Sequence, residues 1–106
     1  MIIATTENIA GKKVVKTFGL VKGNTIRARH AGRDIAAVFR GLFGGEITEY
    51  TKMMAESREQ ALDRMIEQAK ELGANAITMT RFSTSSMMQS AAELVVYGTA
   101  VIVKDE

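Results

Sequence analysis

The sequence predicts one α+β domain: a small, mostly antiparallel sheet with two helices on one face. Three observations carry this. Strand-forming residues crowd positions 12–29, KKVVKTFGLVKGNTIRAR, and return in the uncharged run LVVYGTAVIV at 94–103. Between them, apolar residues recur at helical spacing from Ile35 to Leu72. The length of 106 residues holds a single core, so residues 1–106 form one domain.

The elements follow in order. Ile2 to Thr6 reads as a short first strand with a turn over Glu7 to Gly11. In the second strand segment Gly19, Gly23 and Asn24 interrupt the alternation, which predicts either a bent strand or a hairpin with Gly23-Asn24 at its tip. Ile35, Val38, Phe39, Leu42 and Phe43 make the stripe of a first helix, ended by Gly44-Gly45. A second helix starts near Glu46 or Thr48, and its stripe runs through Met54, Ala61, Met65 and Ala69 to a C-terminal cap at Gly73. Ser57 and Gln60 resemble a capping box that could divide it, but one helix is favoured. Ala76 to Phe82 alternates as a strand, STSSMMQS at 83–90 reads as a turn, and Ala92 to Val103 is the last strand.

That last strand raises the question of assembly. Val95, Tyr97, Val101 and Val103 alternate with Leu94, Val96, Ala100 and Ile102, so both faces are apolar. One helical layer covers one face. Leaving three or four large side chains wet on the other forfeits about 5–10 kcal/mol, comparable with the stability of a small domain. Another copy of the chain is the simplest cover. Charge agrees: residues 1–53 carry 9 Lys and Arg against 4 Asp and Glu, and residues 54–106 carry 5 against 8, a pairing of signs that suits head-to-tail contact.

Composition narrows the chemistry. With no Cys, thiolate catalysis, disulfides, iron–sulfur clusters and cysteine zinc sites are excluded. His30 is the only histidine and has no neighbouring nucleophile to activate. Metal ligation would fall to His30, Glu46 and Glu49, or to the thioethers of Met53-Met54 and Met87-Met88, which read more naturally as packing residues. An enzyme would have to use Glu46 as general base beside Tyr50. Six basic residues between Lys12 and Arg29 enclose one aromatic, Phe18, which favours a solvated strand face over nucleic acid. No apolar segment has membrane-spanning length and no signal peptide is evident, so a cytoplasmic location without membrane contact is expected. No cofactor is expected. Gly98, inside the apolar strand, marks a bulge or the close approach of another backbone, here read as subunit packing.

Three blocks resemble the YbjQ-like family of small proteins, which carries a heavy-metal-binding label: FGGEITEYTKMM at 43–54, ELGANAITMTRFSTS at 71–85 and ELVVYGTAVIV at 93–103. The resemblance implies an α+β subunit similar to that of dodecin, closing into a homo-oligomeric ring that is pentameric in known members, and it implies no enzyme activity. Gly44, Gly45, Glu46 and Tyr50 match the first block, Gly73, Ala74 and Asn75 the second, and Tyr97, Gly98 and Thr99 the third. The expected function is therefore a noncatalytic homo-oligomeric module that binds a ligand between subunits through Glu46, Tyr50, Arg81 and Tyr97. A metal-binding protein and an uncharacterised enzyme are the alternatives.

Overall fold

The computed structural model describes residues 1–28, 46–88 and 91–106. Along them lie β1 (Ile2–Ile3), β2 (Lys12–Ala28), α1 (Glu46–Leu72), β3 (Ala76–Met88) and β4 (Ala91–Asp105). The strands form one sheet in the order β1-β3-β4-β2. β4 is antiparallel to both β2 and β3, whereas β1 runs parallel to β3 through Ile2↔Ala76 and Ile3↔Ile77. The sheet is thus mixed rather than purely antiparallel. The long connection through β2 and α1 allows the parallel pair, which no tight hairpin could make. The expected first helix and the Gly44-Gly45 turn lie outside the described residues.

β2 is one bent strand. Gly23 and Asn24 pair with Val96 and Val95 in mid-ladder, so they are no hairpin tip, and register shifts between Val14 and Lys16 and between Thr17 and Gly19 supply the bend. Gly23 is needed for another reason: a Cβ there would lie 2.0 Å from the Ala61 carbonyl oxygen and 2.6 Å from the Met65 nitrogen. The helix backbone rests directly on this strand.

α1 is a single helix, with Ser57 buried inside it and the Ser57 carbonyl accepting from Thr25 Oγ1 at 3.4 Å. It ends as the glycine predicts. Gly73 takes φ +92°, its N–H donates to Lys70 O, and the Ala74 N–H reaches back to Ala69 O, the paired bonds of a Schellman cap. Ala61, Met65 and Ala69 pack with Val21, Ile77, Val96 and Ala100 as the main core.

β3 continues to Met88, where a turn was expected from Ser83. Ser83, Thr84, Ser85 and Ser86 pair with Val95, Leu94, Glu93 and Ala92. A backbone ladder asks nothing of side-chain polarity, and the long apolar β4 supplies the partner that local composition does not show.

The two faces of β4 are covered differently. Leu94, Val96 and Ala100 are buried, with Val96 and Ala100 in the core beneath α1. On the opposite face Val101 and Val103 cluster with Ala76 and with Ile9 from the N-terminal turn. Part of the second face, for which another copy was expected as the simplest cover, is therefore sealed by the chain's own start. Two devices hold this end. The Lys12 ammonium meets Asp105 at 2.5 Å; that hydrogen bond, with the attraction of the two charges, holds the exposed carboxyl below its usual pKa. The Asn75 side chain donates to Val103 O at 2.9 Å and accepts from Val103 N–H at 2.8 Å, filling the place of a strand partner. Replacing Asn75 by Ala strands both backbone groups in a half-buried site, so Asn75→Ala should lower stability by about 1–3 kcal/mol. A urea midpoint unchanged from the parent would disprove this clamp.

Candidate functional site

Directly paired residues share a face of a sheet, so the registers locate the side chains of the helix-free surface. Lys22 pairs with Tyr97, and Tyr97 with Arg81, placing an aromatic ring between two cations in one row across β2, β4 and β3. Asn24, Val95 and Ser83 form the next row, and Ile26, Glu93 and Ser85 the one after. Leu20 lies on the other side of the cationic row, opposite Thr99. Leu20 is 68% exposed, Ile26 54% and Tyr97 40%.

Local backbone geometry fixes Arg81. Between the pairs Thr78↔Thr99 and Arg81↔Tyr97 the β3 register shifts, and Met79 adopts φ +56°, a left-handed conformation costing an ordinary side chain about 1–2 kcal/mol. The N-terminal segment braces this bulge: Met79 N–H donates to Thr6 O and Thr80 N–H to Ala4 O. Arg81 Nη1 then donates to Thr5 O at 2.8 Å and Thr80 O at 2.9 Å, so its guanidinium is held before anything binds. The Thr80 hydroxyl, buried inside the bulge, has no hydrogen-bond partner among the described residues. Opposite sits Gly98, where a Cβ would lie 2.7 Å from Ile77 Cγ2 and 3.0 Å from Thr78 O. The close approach at Gly98 is thus to the chain's own β3.

Of the expected ligand residues the register brings Arg81 and Tyr97 side by side. Glu46 and Tyr50 occupy the first turns of α1. Tyr50 is seven residues, about 10 Å of helix rise, before Ser57. Sequence reasoning missed Lys22, the second cation of the row. Its only signal was the alternation that places it opposite the buried Val21. Lys22 also borders an open groove of about 420 Å³ along the free edge of β2. There Gln68 Oε1 accepts from the Lys22 N–H at 2.8 Å and Arg64 Nη1 donates to Asn24 O. Helix side chains so satisfy edge groups that would otherwise invite a further strand.

A model of the YbjQ family, described as “Putative heavy-metal-binding”, matches residues 1–104. The chain belongs to the YbjQ family. A UPF0145 protein of Dehalococcoides mccartyi strain 195 is 59% identical over 104 residues, covering 98% of this chain and all of that protein. One from Clostridioides difficile strain 630 is 52% identical over the whole chain and 95% of its own length. Among solved structures, a protein of unknown function assigned to the DUF74 family, from Pediococcus pentosaceus, superposes with a TM-score of 0.68 at 17% identity, covering 98% of each chain. That likeness concerns the fold alone.

The metal in the YbjQ description finds no fitting donor set among the described residues. No three His, Cys, Asp or Glu side chains converge there, and the chain has no Cys to offer a soft metal. Met65 is sealed in the core, and Met79 stands half-exposed on the bulge. Of the hard ligands considered, Glu46 and Glu49 lie on α1 and His30 lies outside the described residues. No described helix is long and apolar enough to cross a membrane.

Proposed function

We propose that this YbjQ-family chain is a noncatalytic, self-associating binding module whose helix-free sheet face is its subunit contact. One observation carries the reading: Leu20, Ile26 and Tyr97 stand exposed on that face, while Val21, Val96 and Ala100 on the opposite face are buried in the core with α1. Burying the three against another chain is worth roughly 1.5–3 kcal/mol for each. The shape of the chain supports it. A radius of gyration of 17.4 Å and extents of 55 × 23 × 18 Å describe an elongated shape, against about 13 Å for a compact chain of this length.

In this reading the ligand site is shared. Arg81 and Tyr97 of one copy meet the α1 start of another, which carries Glu46 and Tyr50. The closed ring, five-membered by family resemblance, completes the picture. Light scattering in solution tests it: the wild-type chain should run at a multiple of its 11.5 kDa, and Leu20→Glu should shift it toward monomer. A wild-type protein that stays at 11.5 kDa at high micromolar concentration overturns the proposal.

A further inference from the structure

We infer that Arg64 and Gln68 act as a surrogate strand, an autoinhibitory contact that closes the regular stretch of the β2 edge to strand addition. The inference does not rest on the self-association proposed above, which concerns the face of the sheet rather than its edge. Among the described residues β2 ends the sheet, with β4 on one side and no strand on the other. Its two halves present different edges. From Lys12 to Gly19 the ladder shifts twice, between Val14 and Lys16 and between Thr17 and Gly19, and Gly19 takes φ +112°. Bulges of this kind twist an edge out of line with an incoming strand, and Lys12, Lys13 and Lys16 add charge to the same half. From Gly19 to Ala28 the register runs without a shift. That half is regular and carries Leu20 and Ile26 exposed, the combination that invites edge-to-edge pairing.

Arg64 and Gln68 sit against its middle. The Lys22 N–H, turned away from β4, donates to Gln68 Oε1 at 2.8 Å, and Arg64 Nη1 donates to the Asn24 carbonyl. One acceptor and one donor thus take the places of the backbone groups that an added strand would bring. Matched spacing lets a helix do this. Residues four apart on a helix rise about 6 Å and residues two apart on a strand about 6.6–6.8 Å, so side chains at i and i+4 meet backbone groups at i and i+2. Gly23, between the two, brings the helix near enough: without a Cβ it lets the backbone at Ala61 and Met65 rest on the strand. Among the described residues the groove alongside is lined by charged and amide side chains, Asp63, Glu67 and Glu71 among them. It offers no apolar seat to the side chains of another strand.

Amide exchange and fibre growth test the contact together. In Gln68→Ala the Lys22 N–H should exchange about three- to tenfold faster, the loss of one hydrogen bond, while the Val21 and Gly23 amides, which face β4, keep the parent rate. Arg64→Ala with Gln68→Ala frees both edge groups. This double variant should form fibres that bind thioflavin T at a concentration where the parent chain forms none. Both positions are exposed and alanine favours helix, so circular dichroism should show the double variant folded. The conservative pair, Arg64→Lys with Gln68→Glu, keeps a donor and an acceptor and should behave as the parent. An unchanged Lys22 rate in Gln68→Ala, a double variant free of fibres, or fibres from the conservative pair as well would each overturn the inference. The mass of the parent in solution does not enter the comparison. A monomeric parent would therefore defeat the proposed function and leave this contact standing.

Discussion

Gly23→Ala should destabilise the chain by about 3 kcal/mol or more, a large part of the 5–15 kcal/mol available to a small domain. The added methyl meets backbone rather than a flexible side chain: the Ala61 carbonyl at 2.0 Å and the Met65 nitrogen at 2.6 Å. Neither atom can move without lifting α1 from β2. Lifting it would also break the Gln68 bond to the Lys22 N–H and the Arg64 bond to Asn24 O, since both depend on the same spacing. The urea midpoint, compared at one protein concentration because assembly adds stability by mass action, is the measurement. A loss below about 1 kcal/mol would mean that the helix does not sit on the strand as described.

Met65→Ala should cost about 2–5 kcal/mol. Met65 is fully buried, and its neighbours on the helix face, Ala61 and Ala69, are small because the backbone comes so close to the strand. Met65 is therefore the largest fully buried side chain that α1 inserts into the core, and the alanines around it cannot grow into the cavity left behind. In thermal unfolding this should lower the midpoint by more than about 10 °C. Met65→Leu keeps the volume and should cost under about 1.5 kcal/mol, separating packing from any role of the sulfur. Equal losses for Ala and Leu would contradict a purely steric seat.

Both predictions turn on a distance that local sequence does not report. Gly23 beside Asn24 carries the same signal whether it turns a hairpin or admits a helix backbone. Glycine is permissive in φ and also lacks a Cβ, and only the contact with Ala61 and Met65 tells which property is in use. Gly98 repeats the lesson, because close approach was legible there while the identity of the approaching chain was not. Gly73 was legible in full, since a helix cap is decided by residues within one turn of it.

The candidate surface was half legible. Arg81 and Tyr97 were named on chemistry alone, and β-pairing makes them neighbours. Lys22 joins them from a strand about 60–75 residues away through the β2–β4 register, while the bulge at Met79 sets Arg81 opposite Tyr97.

By itself the sequence determined that an α+β fold forms, that α1 runs to Gly73, that β4 is apolar on both sides, and that cysteine chemistry is impossible. These follow from periodicity and composition, which act over a few residues. Only the tertiary structure decided that β1 lies parallel to β3, that serines extend β3 to Met88, that Ile9 seals part of the second face of β4, and that Lys22, Tyr97 and Arg81 fall in one row across the sheet. Those depend on which distant segments pair and in what register, a choice made by burying the whole apolar surface at once.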